Sequence, residues 1–415
     1  MKTAKPFDIS KELVWQAYKL VKANGGAAGV DKQSLLEFDQ DLSNNLYRIW
    51  NRMASGSYFP PPVMAVEIPK KSGGVRILGI PTVSDRIAQM VVKLRLEPNV
   101  EPHFHEDSYG YRPRKSAHQA LDVTRRRCWR YDWVLEFDIR GLFDNIDHEL
   151  LMKAVRKHSD CKWTILYIQR WLTAPMQMQN GDMVRRDKGT PQGGVVSPLL
   201  ANLFLHYAFD KWITKNCPDI PFCRYADDGI LHCRSLEEAQ SMRDRIELRF
   251  KECGLEIHPD KTKIIYCKDS DREGEYEHIQ FDFLGYTFRP RRAKNRYGKL
   301  FESFCPAMSN NAITAIGQTV RGWKLQFHND KSIEDLAVKF KAKIQGWVNY
   351  YGKFYSSRLY KIAYHIDMAI KKWVMRKFKK LHGRHRGAMR WIRRHIEKRP
   401  NLFPHWRYSL KQWAR

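Results

Sequence analysis

Short runs in which apolar and polar residues alternate recur through the first 290 residues, and this pattern predicts β-strands with one buried face. The runs cover 63–80, 133–138, 222–233 and 281–288. Between them, apolar residues three or four positions apart predict helices. These helices cover 10–24, about 37–54, 85–97, 147–157 and 235–253. Residues 188–207 predict a glycine-containing loop followed by an apolar helix. The mixture indicates an α+β fold.

The pattern changes near residue 306, after which only helical spacing remains. The predicted helices there are about 309–327, 332–355, 357–380 and 386–397. Just before the change, the segment RPRRAKNRYGK (289–299) shows no clear alternation, and we predict a loop. The chain therefore divides into an α+β part and a helical part.

Charge separates the same two parts. The chain of 415 residues carries a net charge of +28, and residues 306–415 account for +20 of it. A basic module of this kind predicts a polyanionic partner, with nucleic acid as the first candidate. The interleaved tryptophans would stack on RNA bases, while a membrane-surface helix and a solvated basic face remain alternatives. The candidate RNA-binding residues are Lys371, Lys372, Arg376, Lys377, Lys379 and Lys380.

Cysteine spacing and hydropathy exclude several other classes. The eight cysteines form no CxxC pair, so we expect no zinc site. We expect reduced thiols in a cytoplasmic protein of bacterial type. Association with the nucleoid is compatible with this expectation. The N-terminus lacks the apolar core of a signal peptide, and no apolar run is long enough to span a bilayer. We therefore expect no membrane partner.

Three carboxylates follow predicted strands. Asp227 and Asp228 form the tip of a predicted hairpin, where an Asp-Asp pair on its own is more often a solvated turn. Asp138 ends another predicted strand. If the three meet on one sheet, they supply the hard oxygen ligands that two Mg²⁺ ions need for nucleotidyl transfer.

Two further segments fit a nucleotide substrate. Lys70 and Arg76 lie in and after the turn of a predicted hairpin and would neutralise a triphosphate, although an exposed basic hairpin explains them equally well. Gln192 offers amide donors in the glycine-containing loop, which otherwise is an ordinary connection to a helix.

The ordered series of motifs resembles the reverse transcriptases encoded by group II introns, also called maturases. The matching segments are IPKKSGGVRILGIPTVSDRIAQ (68–89), DSYGYRPRKSAHQAL (107–121), FDIRGLFDNIDHELL (137–151), KGTPQGGVVSPLLANLFLHY (188–207), RYADDGILHC (224–233), GLEIHPDKTKI (254–264), FDFLGYTF (281–288) and GWVNYYGKFY (346–355).

The resemblance implies a right-hand polymerase, with fingers and a palm built on an antiparallel sheet, followed by an α-helical thumb or maturase domain. The implied divisions are an N-terminal fingers extension (1–62), fingers and palm (63–300), thumb and maturase domain (301–380) and a basic DNA- or RNA-binding segment (381–415). The implied activity is RNA-directed DNA polymerisation, together with maturase assistance to splicing and mobility by target-primed reverse transcription.

Individual roles follow from the same resemblance. Asp138, Asp227 and Asp228 would be the catalytic carboxylates, with the Ile139 carbonyl as a further metal ligand and Lys261 protonating pyrophosphate. The implied nucleotide-binding residues are Lys70, Arg76, Phe143 and Gln192, with Phe143 as the aromatic gate against a ribose 2′-OH. Leu284, Gly285 and Tyr286 would grip the primer end.

The implied cofactor is a pair of Mg²⁺ ions, with Mn²⁺ as a substitute. The implied partners are group II intron RNA, an RNA template with a DNA primer, target DNA and dNTP. No paired cysteines follow Cys305, so the DNA-cutting module of some family members is not expected. Two alternatives stay open: a domesticated reverse transcriptase in defence or DNA repair, and a non-enzymatic splicing cofactor. Ala226 favours the intron-encoded class.

Overall fold

The structure is a computed structural model that describes residues 5–69 and 73–413, with side chains through residue 409. Lys70, a predicted nucleotide-binding residue, lies outside the described residues. The chain forms two compact units. The first combines residues up to Ser116 with Leu135–Lys263, and the second combines Ala117–Val134 with residues from Ile264 onward. Each unit is described by itself below.

The helices and strands are as follows, in chain order. The helices are α1 (Lys11–Asn24), α2 (Leu35–Gln40), α3 (Leu42–Ser55), α4 (Val83–Val100), α5 (Ala117–Cys128), α6 (Leu142–Asn145), α7 (His148–His158), α8 (Lys162–Thr173), α9 (Ser197–Leu205), α10 (Lys211–Asn216), α11 (Leu236–Glu252), α12 (Asn310–Gly322), α13 (Ile333–Tyr351), α14 (Leu359–Lys377), α15 (His385–Lys398) and α16 (Trp406–Trp413). The strands are β1 (Val63–Pro69), β2 (Val75–Ile80), β3 (Trp133–Asp138), β4 (Met176–Gln177), β5 (Met183–Val184), β6 (Phe222–Tyr225), β7 (Asp228–Cys233), β8 (Lys263–Tyr266), β9 (Phe281–Phe283), β10 (Tyr286–Lys294) and β11 (Leu300–Met308).

Local sequence signals set the helix ends of the first unit. Ser10 accepts a hydrogen bond from the Leu13 amide at 3.1 Å and begins α1, which ends at Gly25 in a left-handed conformation (φ 65°). The predicted helix over about 37–54 is divided in two at Asp41, because its backbone leaves the helical region (φ −124°, ψ 45°). The prediction of one continuous helix there was wrong.

The first unit contains two sheets. In one, the strand order is β2-β1-β4-β5, and the predicted hairpin of β1 and β2 is antiparallel, with Met64 opposite Ile80. In the other, β6, β7 and β3 lie side by side, and β6 and β7 form the predicted hairpin around the acidic turn. The strands that end in Asp138 and begin at Asp228 therefore share one sheet.

An apolar core fixes this sheet from behind. The ring of Phe137 on β3 contacts Phe209 and Phe250, at centroid distances of 5.2 and 5.7 Å. Gly229 on β7 faces the same ring, and a Cβ there would lie 2.0 Å from it, so only glycine lets the two strands approach. This packing fixes the position of the acidic turn relative to the end of β3.

The second unit combines a sheet of order β11-β10-β9 with the helices from α12 onward. A single core joins these helices, and it includes Ile316, Leu336, Ile344, Ile366 and Trp373. Trp373 and Trp406 are fully buried. These two tryptophans therefore pack the protein core and are closed to the base stacking that the sequence suggested for the aromatic residues of this region.

The segment 289–299 differs from its prediction. Instead of a loop, it forms most of β10 and the turn to β11, and these strands pair continuously from Tyr286–Met308 to Lys294–Leu300. The sequence hid this ladder because cations replace the apolar face that normally reveals a strand. Within the described ranges, none of the helices offers an apolar stretch able to traverse a bilayer.

Candidate active site

The acidic turn is held in an unusual backbone conformation. Tyr225 pairs with Asp228 across the hairpin, and Ala226 between them adopts φ 56°, which L-residues rarely occupy. Gly110 lies against this turn, since a Cβ on it would be 2.4 Å from the Ala226 nitrogen. The hairpin and its neighbour therefore present the two aspartates in a fixed position.

A buried arginine supports the turn from below. Arg224 donates from Nη1 to the Ala226 carbonyl at 3.0 Å and to Asn202 Oδ1 at 3.1 Å. Its Nε and Nη2 donate to the two carboxylate oxygens of Asp210 at 2.7 and 2.6 Å, and Nη2 also donates to Ser108 Oγ. Arg224, the residue before Tyr225, thus fixes the backbone that carries the aspartates.

Asp138 ends β3, where the chain turns away through Gly141 in a left-handed conformation (φ 56°). The Asp138 carbonyl accepts the His258 amide at 2.8 Å. Its carboxylate accepts a hydrogen bond from Lys261 Nζ at 2.7 Å. Lys261 therefore lies beside the acidic residues, at the position expected from the sequence. Its pairing with Asp138 raises the pKa of the Lys261 ammonium group.

The three carboxylates concentrate negative charge. Burial, followed by the charges of Asp227 and Asp138, raises the pKa of Asp228 to about 7. Burial and the Asp138 charge also raise the pKa of Asp227, partly opposed by a backbone hydrogen bond, Arg76 and Lys261. The site is thus poised to bind a cation, which would favour the ionised forms.

A cleft of about 810 Å³ opens in front of these residues. Its walls include most of the predicted site residues, namely Arg76, Asp138, Ile139, Phe143, Gln192, Asp227 and Lys261. Asp228 is half-buried at the start of β7, next to Asp227. All of these residues belong to the first unit.

Gln192 connects two walls of the cleft. Its Oε1 accepts from Arg76 Nε at 2.6 Å, and its Nε2 donates to Asp144 at 3.1 Å. Its carbonyl accepts the Gly79 amide at 2.8 Å, and a Cβ on the next residue, Gly193, would lie 2.7 Å from the Gly79 carbonyl. The glycine-containing loop is therefore laid directly on β2, and Phe143 also lines the cleft, with its carbonyl accepting the Thr190 amide at 2.6 Å.

A second network, not anticipated from the sequence, fixes the end of this loop. Gln89 Oε1 accepts the Val195 amide at 2.7 Å, and Gln89 Nε2 donates to the buried carboxylate of Asp85 at 2.9 Å. Tyr58 and Trp171 also donate to Asp85. Burial raises the pKa of Asp85 to about 6. The sequence signal was weak: Asp85 and Gln89 lie four positions apart on α4, and Arg224 lies within an apolar strand.

The predicted primer-grip residues belong to the second unit. Leu284 and Gly285 form the β9–β10 turn, with φ of 50° and 77°. Tyr286 is fully buried, and its hydroxyl donates to the Tyr350 carbonyl. Tyr350 in turn donates to the Leu284 carbonyl at 2.7 Å. The turn is therefore anchored to α13.

The predicted RNA-binding residues also lie in the second unit, on α14 and the turn after it. Lys372, Lys379 and Lys380 are exposed and Lys371 is half-buried. Arg376 places its guanidinium 4.7 Å from the ring centroid of Phe327. Lys377 donates to the carbonyls of Asn329 and Lys331, so its ammonium group is engaged within the protein.

The donor set fits divalent metal ions, since carboxylate and carbonyl oxygens are the ligands that hard cations prefer. Burial, together with repulsion from Asp227 and Asp138, raises the pKa of Asp228, and bound cations relieve the repulsion. Among the described residues, no group of three or more His, Cys, Asp or Glu side chains is arranged to hold a metal unaided. Completing the coordination therefore needs backbone, water or substrate oxygens.

Two family models match the chain. The model "Reverse transcriptase (RNA-dependent DNA polymerase)" matches residues 68–288, and the model "Group II intron, maturase-specific domain" matches residues 313–396. The chain belongs to the group II intron family of reverse transcriptases. Reverse transcriptases of this family use divalent metal ions, and the maturase domain binds intron RNA.

The relatives agree with this family. The chain is 33% identical to protein YkfC of Escherichia coli K12, over 70% of this chain and 83% of YkfC. It is 29% identical to the group II intron-encoded protein LtrA of Lactococcus lactis, over 69% of this chain and 56% of LtrA. A telomerase structure from Candida albicans aligns with 87% of this chain and 66% of its own at a TM-score of 0.45 and 14% identity. The chain thus spans just over half the length of LtrA.

Proposed function

We propose that the protein is an RNA-directed DNA polymerase encoded by a group II intron, and that it also binds the intron RNA to assist splicing and mobility. The observation that carries the proposal is the meeting of Asp138, Asp227 and Asp228 at one cleft with Arg76 and Gln192 on its walls. A relict polymerase fold serving only as a splicing cofactor has no need for this arrangement.

In this proposal, Asp138, Asp227, Asp228 and the Ile139 carbonyl would hold two Mg²⁺ ions, for which Mn²⁺ can substitute. When bound, the ions supply Lewis-acid stabilisation of the attacking and leaving oxygens of nucleotidyl transfer. The half-buried position of the carboxylates reduces the screening of their charge, and the Arg224 network keeps the turn from moving away when charge develops.

The other residues of the cleft bind and orient the nucleotide. Arg76 neutralises the triphosphate, with Lys70 as its predicted partner, and Gln192 lies against the incoming dNTP. Lys261 is already charged and fixed by Asp138, and it releases this carboxylate to donate a proton to the departing pyrophosphate. Phe143 fills the place that a ribose 2′-OH would need, so deoxynucleotides are preferred.

The second unit supplies the nucleic-acid contacts of the proposal. The turn at Leu284, Gly285 and Tyr286 grips the primer end, and the exposed cations of α14 and the following turn bind intron RNA. The RNA template carries a DNA primer, and because no DNA-cutting module is expected in this chain, mobility takes that primer from another source. The divisions 1–62, 63–300, 301–380 and 381–415 are the corresponding functional domains.

Primer extension tests the polymerase. The purified protein should extend a DNA primer on an RNA template with Mg²⁺ and dNTPs, and Asp227→Ala should lower the rate by roughly 10³-fold or more. The matched control is Asp260→Ala, which removes an exposed carboxylate near Lys261 and should leave extension unchanged. Both variants should bind RNA as the wild type does. Absence of extension by a folded wild-type protein would refute the proposal.

A further inference from the structure

The β10–β11 hairpin projects a charged end that no function above uses. We define the basic arm as residues 292–302, the outer part of β10, the turn and the outer part of β11. It carries four cations, Arg292, Lys294, Arg296 and Lys299, against one carboxylate, Glu302. The arm also lies between the two family matches, which end at 288 and begin at 313.

Contacts with the rest of the second unit stabilise the inner half of the hairpin. Phe288 and Phe304 are fully buried, and the Trp129 indole donates to the Phe304 carbonyl at 3.0 Å. Arg291 is buried and donates to the Cys305 and Thr287 carbonyls. These contacts hold the base of the hairpin in the second unit, so the fold does not need the outer half for its core.

Along β11, the hydrogen bonds between the outer half of the hairpin and the rest of the second unit end at Glu302. The backbone of Glu302 exchanges hydrogen bonds with Ser270, whose Oγ accepts the Glu302 amide at 2.7 Å. Every residue from Lys294 to Glu302 is exposed. Within the part of the chain that the structure describes, none of Lys294, Arg296 and Lys299 forms an ion pair with a carboxylate. Their charges are thus available to a ligand.

The turn at the end of the arm is ordered. Asn295 Oδ1 accepts the amides of Tyr297 and Lys299 at 2.9 and 3.0 Å, and the Asn295 amide donates to the Lys299 carbonyl. Gly298 takes the left-handed conformation that closes the turn (φ 87°). An ordered turn places its side chains in advance, which lowers the entropic cost of binding.

The arm also exposes rings that the core does not need. The side chain of Tyr297 is 77% exposed, with the Arg296 guanidinium 4.6 Å from its centroid, and Phe301 is 40% exposed. Cations beside exposed planar rings are the combination that binds single strands, because cations meet phosphates and rings stack on unpaired bases.

We propose that the basic arm binds an unpaired polynucleotide strand, with Lys294, Arg296 and Lys299 on the phosphates and Tyr297 stacked on a base. The proposal rests on the proposed function only in that RNA is the expected strand, and it needs no polymerase chemistry. An acidic protein surface would also match the charges. An acidic protein surface would not stack on the ring of Tyr297. For such a partner we do not expect Tyr297→Phe to preserve binding while Tyr297→Ala weakens it.

The charge contribution is tested with the full-length variant Lys294→Ser/Arg296→Ser/Lys299→Ser. Binding of a fluorescein-labelled uridine-rich RNA is measured by anisotropy over a series of salt concentrations, without Mg²⁺ or dNTP. Three lost phosphate contacts should reduce the slope of log K against log salt by about 2, and the affinity should fall roughly tenfold or more near 0.1 M salt. An unchanged slope and affinity would overturn the proposal.

The matched control is Lys162→Ser/Lys211→Ser/Lys215→Ser, which removes three exposed cations from the first unit. If affinity depended only on total charge, both triple variants would lose the same amount, and this result would also overturn the proposal. We expect the control to change affinity less than about twofold. Thermal unfolding should be unchanged in both variants, because all six side chains are exposed.

Stacking is tested separately with Tyr297→Ala and Tyr297→Phe. The alanine variant should weaken single-strand binding about tenfold without changing the salt slope, and the phenylalanine variant should bind normally. A duplex RNA should be insensitive to Tyr297→Ala, and equal loss on the duplex would refute stacking. A DNA strand of the same sequence distinguishes the sources. If Tyr297→Ala weakens the binding of the RNA strand alone, the ligand of the arm is template or intron RNA. If it weakens the binding of both strands, the arm binds any unpaired strand.

Discussion

The guanidinium of Arg224 and the carboxylate of Asp210 form a fully buried pair next to the acidic turn, with N–O distances of 2.7 and 2.6 Å. Both side chains are shielded from solvent. Removing water from two charges is expensive, so the pair is not a simple source of stability. What it does provide is an arginine held in one orientation, whose remaining nitrogen fixes the Ala226 carbonyl.

The first prediction concerns this pair. Arg224→Met leaves the Asp210 carboxylate buried without its partner, and the free energy of unfolding should fall by about 3–5 kcal/mol, measured by urea denaturation. The double variant Arg224→Met/Asp210→Leu removes both charges and should regain most of that loss. Primer extension should stay low in the double variant, because the Ala226 carbonyl has lost its donor. Full activity in a refolded double variant would show that the pair does not position the turn.

The second prediction concerns nucleotide choice. Phe143 lines the cleft and is 9% exposed, so its ring packs against protein on one side. Phe143→Ala should raise rNTP incorporation relative to dNTP by at least tenfold, about 1.4 kcal/mol, measured as the ratio of kcat/KM values. Phe143→Tyr retains the ring and should retain the preference.

Packing complicates that experiment, since shortening Phe143 also creates a cavity that can cost about 3–5 kcal/mol. Thermal unfolding of each variant therefore accompanies the kinetics. A folded alanine variant with unchanged discrimination would remove Phe143 from the gate.

The strand ends that carry the carboxylates could be predicted because local alternation defines a strand and hence its end. Asp138 and Asp228 follow directly from the patterns around them. The role of Arg224 could not be predicted, since its partners Ser108, Asn202 and Asp210 come from distant parts of the chain. Local sequence signals thus locate the candidate catalytic groups, while tertiary contacts decide what holds them.

In the second unit, the sequence pattern predicted the helices but not the burial of individual side chains or the strands of the β10–β11 hairpin. The helices from α12 to α15 follow the apolar spacing, but the same spacing cannot reveal that Trp373 is buried. Residues 289–299, which include most of the basic arm, were predicted to be a loop because their cations interrupt every apolar pattern. Its strand pairing is set by backbone hydrogen bonds to β11, which no side-chain pattern reports.

The third prediction concerns stability in acid. His206 is buried, neither ring nitrogen has a hydrogen-bond partner among the described residues, and burial lowers its pKa to about 4. The unfolded chain binds a proton near pH 6.5, so stability is complete above that pH and declines as the pH falls from 6.5 toward 4. The loss at pH 5 should be about 2 kcal/mol.

Urea denaturation at pH 7.5 and about pH 5 measures this loss. His206→Leu keeps an apolar side chain of similar size in the buried site, and its stability should depend on pH less than that of the wild type. The control His382→Leu changes an exposed histidine and should retain the wild-type dependence. Equal acid sensitivity of His206→Leu and the wild type would contradict the assignment.

The fourth prediction links metal binding to Asp228. Its pKa, raised to about 7, means that the metal-free folded protein takes up a proton that the unfolded chain releases near pH 4. Stability in EDTA therefore declines as the pH rises from about 4 to about 7. Mg²⁺ favours the ionised carboxylates, so its stabilising effect should be larger at pH 8 than at pH 6.

Thermal unfolding with EDTA and with Mg²⁺ at the two pH values tests this linkage. Asp228→Asn removes the buried charge while keeping the shape, so in EDTA at pH 8 it should be more stable than the wild type by at least about 1 kcal/mol. It should also lose most of the Mg²⁺ response. Asp260→Asn changes an exposed carboxylate outside the turn and should match the wild type in both respects. A Mg²⁺ response that stays equal at pH 6 and pH 8 would mean that Asp228 is already ionised in the metal-free protein, and that Arg76 and Lys261 offset the repulsion from Asp138 and Asp227 more fully than their positions indicate.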